Sequence, residues 1–70
     1  MAQRVKIETE YIQLQQFLKL INLVSSGGEA KEIIQQGIIK VNGEVEIRRG
    51  RKLYSNDSII IEDVDEFIII

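Results

Sequence analysis

The sequence predicts an α+β fold, a helical hairpin packed on a small antiparallel sheet, and three observations carry that expectation. Apolar residues recur at helical spacing in the first half of the chain, through Leu14, Phe17, Leu18 and Ile21 and again through Ala30, Ile33 and Ile34. After Gly37 the period changes to alternation, Ile39-Lys40-Val41 and Val45-Glu46-Ile47, on either side of the turn signal Asn42-Gly43. The apolar run from Phe67 to Ile70 reads as a final strand.

Each element has its own signature. Val5-Lys6-Ile7 alternates and is expected to be a short strand. Helix one is expected from Gln13 to Ile21, with Lys19 on a flank beside Gln15 and Asn22. Ser25-Ser26-Gly27-Gly28 then interrupts the period. Ser26 followed three residues later by Glu29 is a capping box, which sets the start of helix two. That helix should run to about Gln36, burying Ala30, Ile33 and Ile34, with Lys31 and Gln35 on one flank. Gly37 ends it, because glycine enters the left-handed conformation without steric cost.

In the hairpin a strict two-residue turn sets Val41 opposite Glu44 and Ile39 opposite Glu46, mixing charged and apolar residues on one face. A three-residue connection pairs Val41 with Val45, Ile39 with Ile47 and Lys40 with Glu46. The rule that one face stays apolar favours the second register. Further on, Arg48-Arg49-Gly50-Arg51-Lys52 is a basic connection, Leu53-Tyr54 a short extended piece, Ser55-Asn56-Asp57 a turn and Ser58 to Glu62 a strand. An unpaired last strand would be an adhesive edge, so residues 67–70 are expected to pair, with 5–7 as the available partner.

Seventy residues make one domain at most, here 1–70 with a core over 11–61 and terminal strands at 5–7 and 67–70. A chain this short buries about 60% of its unfolded surface. It contains no Cys and no His, which excludes disulfides and zinc sites of thiolate or imidazole type. With 44% apolar and 29% charged residues the composition is that of a globular protein. No apolar stretch approaches the roughly 20 residues of a bilayer span and no secretory pattern opens the chain, so a soluble cytoplasmic protein without membrane contact is expected.

The net charge of −2 hides an uneven distribution. Residues 1–18 are balanced. Residues 19–52 carry seven bases against four acids, and residues 53–70 carry five acids and no base. A molecule with a basic middle and an acidic tail can present one face to an anion. The densest local signal is Arg48, Arg49, Arg51 and Lys52. Four cations within five residues repel one another, and an incoming anion relieves that repulsion; arginine also offers a planar fork matched to phosphate oxygens. The alternative is a solvated turn neutralised by Glu44, Glu46 or the acidic tail.

Ser26, Gly27 and Gly28 at the start of helix two form a second candidate, since outward N–H groups and the helix dipole favour an anion. Plain capping explains the same residues, and Glu29 would repel an anion there. The Gly-Lys-Ser/Thr run of a Walker loop is missing. Lys19 and Lys31 border the apolar faces of the two helices and would line one groove if those faces pack together.

Catalysis has little to work with. A serine nucleophile needs a base, and Lys31 lies five residues from Ser26, a poor spacing for facing it. Glu62, Asp63, Asp65 and Glu66 lack the spacing of a calcium loop and read as a solvated cover for an apolar strand. No enzyme, no metal, no cofactor and no small-molecule substrate are expected. Tyr11 and Tyr54 can stack on bases, and as half-buried aromatics they have a structural explanation as well.

Residues 11–61 resemble the S-four RNA-binding module, named for a small-subunit ribosomal protein, and most closely its small stand-alone YaaA/YbcJ-like branch. The carrying residues are Leu14 with Phe17-Leu18-Lys19, Ser26-Gly27-Gly28-Glu29-Ala30-Lys31, and Ile33-Ile34-Gln35-Gln36-Gly37. They continue through Ile39-Lys40-Val41-Asn42-Gly43-Glu44 and Arg48-Arg49-Gly50-Arg51-Lys52-Leu53 with Asp57. The resemblance implies an alpha-L type fold and binding of structured RNA, ribosomal or transfer RNA, with a possible place on the ribosome. By position it implies RNA contacts from Ser26, Lys31, Arg48, Arg49, Arg51 and Lys52, with Lys19 at the border and Asn42 holding a turn. Gln13 and Gln15 stand where the wider module often has Arg and Asp, and Gly27 where it often has Arg; this shifts the burden onto residues 48–52. Asn56 stands for the usual Gly before Asp57. The expected site is therefore a joint cradle of the basic connection and the opening of helix two. The competing reading is a protein-interaction adaptor that adds its C-terminal strand to a partner's sheet.

Overall fold

The apolar stripes of the first half do become two helices, α1 over Leu14–Leu20 and α2 over Gly27–Gln35. They form a hairpin in the computed structural model of the chain, which describes residues 2–70. Leu14, Phe17 and Leu18 of α1 and Ala30 and Ile34 of α2 are fully buried. Ser26 is the N-cap of α2, and its hydroxyl accepts from the Glu29 N–H at 3.2 Å. The helix ends as the sequence demands, with Gly37 at φ +75°.

The remaining elements are strands: β1 Ala2–Val5, β2 Ile12–Gln13, β3 Ile39–Val41, β4 Glu44–Val45, β5 Lys52–Leu53, β6 Ser58–Ile61 and β7 Asp65–Ile69. Five of them form one sheet in the order β1-β7-β6-β3-β4, and β2 and β5 form a separate two-stranded ribbon. Ile39, Val41, Ile59, Ile61, Phe67 and Ile69 turn one face of the large sheet toward the helices. Phe17 and Phe67 meet there edge to face, ring centres 5.6 Å apart at 80°.

The sheet corrects the antiparallel expectation. Pairings β3–β4, β3–β6 and β6–β7 are antiparallel, but β1 joins β7 in parallel, Ala2 opposite Glu66 and Val5 opposite Ile69, so the sheet is mixed. The terminal strands do pair, two or three residues earlier than expected at the N-terminus. Two bonds beyond the strand, Ile70 N–H to Val5 and Ile7 N–H to Ile70, tie residue 7 in as well. Because β7 lies between β1 and β6, both of its edges are used. It offers no free edge to a partner's sheet, which removes the geometric basis for strand addition at the C-terminus.

The hairpin register is also corrected. Lys40 pairs with Val45 and Val41 with Glu44 across a two-residue turn, with Asn42 at φ 52° and Gly43 at φ 87°. Two positive φ values in succession define the turn whose twist matches the strands, and this local chemistry overrides the preference for an apolar face. Glu46 N–H donates to Ile39 O at 2.9 Å, so Glu46 stands opposite Ile39 on the core-facing side.

Asn42 does more than turn the chain. Its amide donates to Asp57 and its carbonyl accepts from Ser58 N–H, while Asp57 accepts from Tyr54 N–H. Two turns distant in sequence are thereby locked together, the second with Asn56 at φ 76°.

Truncation of Phe17 to Ala removes half of the aromatic pair and opens a cavity at the helix–sheet junction. The expected cost is about 3–5 kcal/mol, comparable to the whole stability of a domain this small. Loss of the cooperative thermal transition followed by circular dichroism checks it.

Candidate nucleic-acid interface

The basic connection is built around an acid. Glu46 is only 5% exposed, and its carboxylate accepts five hydrogen bonds. Two come from the backbone N–H groups of Ile47 and Arg48, two from the Arg48 guanidinium at 2.9 and 3.0 Å, and one from Arg51 Nη1 at 2.7 Å. Those bonds, the Arg48 fork foremost, hold the Glu46 carboxyl down at about 2 against the opposing effect of burial. The turn is closed by Arg51 N–H to Arg48 O. Sequence reasoning treated Glu46 as one of several neutralising acids; the signal for its role was its place opposite Ile39 in the two-residue register.

This arrangement sorts the four cations. Arg48 and Arg51 supply both ion pairs found among the described residues, and both end on Glu46. The Arg48 side chain remains 72% exposed and that of Arg51 31%, so neither is sealed from solvent by its ion pair. Arg49 and Lys52 are exposed and make no ion pair among the described residues. The acids of residues 62–66 do not neutralise them: they lie on β7 and the turn before it, on the far side of β3 from β4, and Asp57 is engaged with Asn42 and Tyr54. Asp65 accepts from Gln3 and from Glu66 N–H, which holds its carboxyl below the usual range.

The connection is fastened to α1. Arg51 O accepts from Leu14 N–H at 2.8 Å and Arg49 O from Gln15 N–H at 3.0 Å, so backbone carbonyls close the start of that helix. Ribbon pairing of Gln13 with Lys52 and Ile12 with Leu53 completes the junction. The sequence showed Leu53-Tyr54 as extended but gave no partner, because a two-residue strand leaves no periodicity to read.

The opening of α2 lies at the other end of α1. Lys19 sits there, lining an open groove with Asn22, Ser25 and Glu29. Glu29 folds back so that its carboxylate accepts from Ser25 Oγ and from Ser25 N–H at 3.1 Å, which lowers its pKa. Ser26 is thus a working cap, and a carboxylate already stands at the helix start. Lys31 is exposed one turn further on. Seven residues of α1, about 10 Å of helix, run from the end that the bend closes to the end from which the chain leads on to Ser26. The bend thus meets the start of α1, whereas Lys19 lies in the last turn of that helix and Ser26 follows its end.

The fold and this geometry define a class. Residues 5–70 match the family described as the S4 domain, and the chain belongs to that family. It is 44% identical over 70 residues to the "Probable ribosome maturation protein RlbA" of Bacillus subtilis (strain 168), covering 100% of this chain and 99% of the relative. Among solved structures, the 30S ribosomal protein S4e from Thermoplasma acidophilum superposes with a TM-score of 0.56 at 22% identity. That likeness is one of fold; it covers 77% of this chain and 29% of the other.

Two outcomes follow from the geometry. The Glu46 carboxyl titrates near 2 when folded and near 4.5 when unfolded, so its contribution is complete above pH 4.5 and disappears as pH falls toward 2. The contribution is at most about 3 kcal/mol, less whatever solvent screening of the exposed Arg48 removes. Glu46→Gln should lower stability at pH 7 by about 2–3 kcal/mol and flatten that acid limb, as urea unfolding across pH 2.5–7 would read. At the start of α2, a Cβ on Gly28 would meet only Ser26 Oγ at 3.9 Å, and the residue has no positive φ. Gly28→Ala should therefore raise stability by about 0.5–1 kcal/mol, measured by thermal unfolding.

Proposed function

We propose that this protein is a non-catalytic, cytoplasmic RNA-binding protein that grips the phosphate backbone of structured RNA, in ribosomal RNA or its precursors. Membership of the S4 domain family supports the RNA-binding reading, and the name of the Bacillus subtilis relative supports a ribosome-associated role. Transfer RNA is the other structured RNA that this chemistry would accept.

The observation that carries the proposal is the clamped bend. A buried carboxylate fixes the backbone of residues 46–51 and holds two arginines in place, leaving Arg49 and Lys52 exposed beside them. Four cations against one carboxylate leave a local surplus of three positive charges. Phosphates placed at both ends of an α1-length interval of about 10 Å belong to a polymer and not to a single small anion. The bend takes one stretch of backbone, and Lys19 and Lys31 take another. Ser26, Gly27 and Gly28 lend the second contact a backbone edge without bulky side chains, not an anion pocket, because Glu29 occupies the helix opening.

Reversal of the two unpaired cations, Arg49→Glu with Lys52→Glu, leaves the Glu46 clamp intact. The variant should keep its circular dichroism spectrum and lose about ten-fold or more in RNA affinity at physiological salt. The slope of log affinity against log salt should fall by roughly 1.5–2, since two phosphate contacts are removed, and the loss should be similar for unrelated RNA sequences. Unchanged binding by this folded double variant would sink the proposed surface.

A further inference from the structure

Beside Lys52, the outward face of the β2–β5 ribbon carries side chains that neither the core nor the phosphate contacts use. Ile12 stands opposite Leu53 and Gln13 opposite Lys52. Alternation turns Ile12 and the fully buried Leu53 inward and places Tyr11, Gln13, Lys52 and Tyr54 together on the other side. The two tyrosines are 36% and 43% exposed, with ring centres 5.8 Å apart and planes tilted by 47°. The Lys52 ammonium lies 4.8 Å from the centre of the Tyr11 ring. An open groove of about 530 Å³ runs beside them, lined by Tyr11, Gln13 and Gln16 among others.

These features fit one ligand chemistry. Aromatic rings left half in water present flat faces, and a nucleobase has a flat face to match. Lys52 approaches the Tyr11 ring and is also a cation of the basic connection that no carboxylate among the described residues pairs with. A nucleotide with its base on this platform would therefore have its phosphate within reach of the same lysine. Gln13 Oε1 accepts from Gln15 Nε2, which leaves the Gln13 amide N–H groups to donate, and Gln16 adds a second amide along the groove. Amides of this kind both donate to and accept from base edges.

We infer that the ribbon face is a stacking site for one unpaired nucleobase, set directly beside the phosphate contacts of Arg49 and Lys52. The inference rests on the RNA-binding reading and sharpens it. A base inside a continuous duplex cannot offer its face, so the site selects RNA in which a bulged or overhanging nucleotide interrupts or ends a helix.

The protein contains two Tyr and no Trp, so its intrinsic tyrosine emission comes entirely from this platform. The test titrates the full chain, at low salt, with an uninterrupted RNA hairpin and with the same hairpin carrying one unpaired adenosine. The bulged hairpin should bind about ten-fold tighter and quench the emission, and replacing the bulged base with an abasic residue should abolish both effects. Labelled-RNA anisotropy should show Tyr11→Leu with Tyr54→Leu binding the two hairpins equally, at the level of the uninterrupted one. Tyr11→Phe with Tyr54→Phe should keep the preference. If wild-type protein binds both hairpins alike, salt-sensitively and without quenching, the stacking site is wrong and the phosphate reading stands. If it binds neither, the RNA-binding reading falls and takes the stacking site with it.

Discussion

A carboxylate withdrawn from water is costly unless its oxygens find donors, and Glu46 finds five. That requirement shapes everything around it. The two backbone donors force the chain after β4 to turn at once, and the two guanidinium groups fill the rest of the carboxylate's reach. The loop that would otherwise be the most self-repelling stretch of the molecule becomes a fixed one. The same turn delivers the Arg49 and Arg51 carbonyls to the start of α1 and launches β5 into its pairing with β2. Helix, ribbon and basic surface thus share one buried acid as their common anchor.

A second polar knot performs a similar task on the opposite side of the β3–β4 turn. Asn42 bonds to Asp57 and Ser58, and Asp57 reaches back to Tyr54. Tyr54 is the residue after β5, so the knot and the Glu46 clamp fix the two ends of the segment between them. A small domain has few apolar contacts to spare for loops. Here the loops are held by short-range polar bonds while the apolar residues are kept for the helix–sheet core.

Much of this was legible in the residues. The 3.6-residue stripes gave both helices to within a residue or two, Ser26 and Gly37 gave the bounds of α2, and the alternation around Asn42-Gly43 gave a hairpin. The register was misread because the rule of an apolar face assumes that no charge is wanted inside. Glu46 is wanted inside, since Arg48 and Arg51 come with it, and the Asn-Gly turn type was the stronger signal. The parallel β1–β7 pairing had no signature of its own: an apolar C-terminal run says that it must be covered, not in which direction. The basic connection was visible as composition, yet its division into clamped and unpaired cations depends on a partner two to five residues away across a bend. Its separation from Ser26 depends on which end of α1 each piece meets, and that is a property of packing alone.

The net charge of −2 remains to be squared with the proposed polyanionic ligand. The acids of residues 62–66 belong to β7 and the turn before it, and β3 and β4 stand between them and the bend. At about 4.8 Å per strand that interval exceeds the Debye length of about 8 Å at physiological ionic strength. The tail's repulsion is therefore largely screened at the contact surface, whereas a phosphate touching Arg49 or Lys52 is within direct hydrogen-bonding range and is not. What the tail does retain is orientation. With RNA as the proposed ligand, a molecule positive around one bend and negative along β7 would turn its basic side toward it and its acidic side away, so opposed charges would select the approach without contributing to the contact itself.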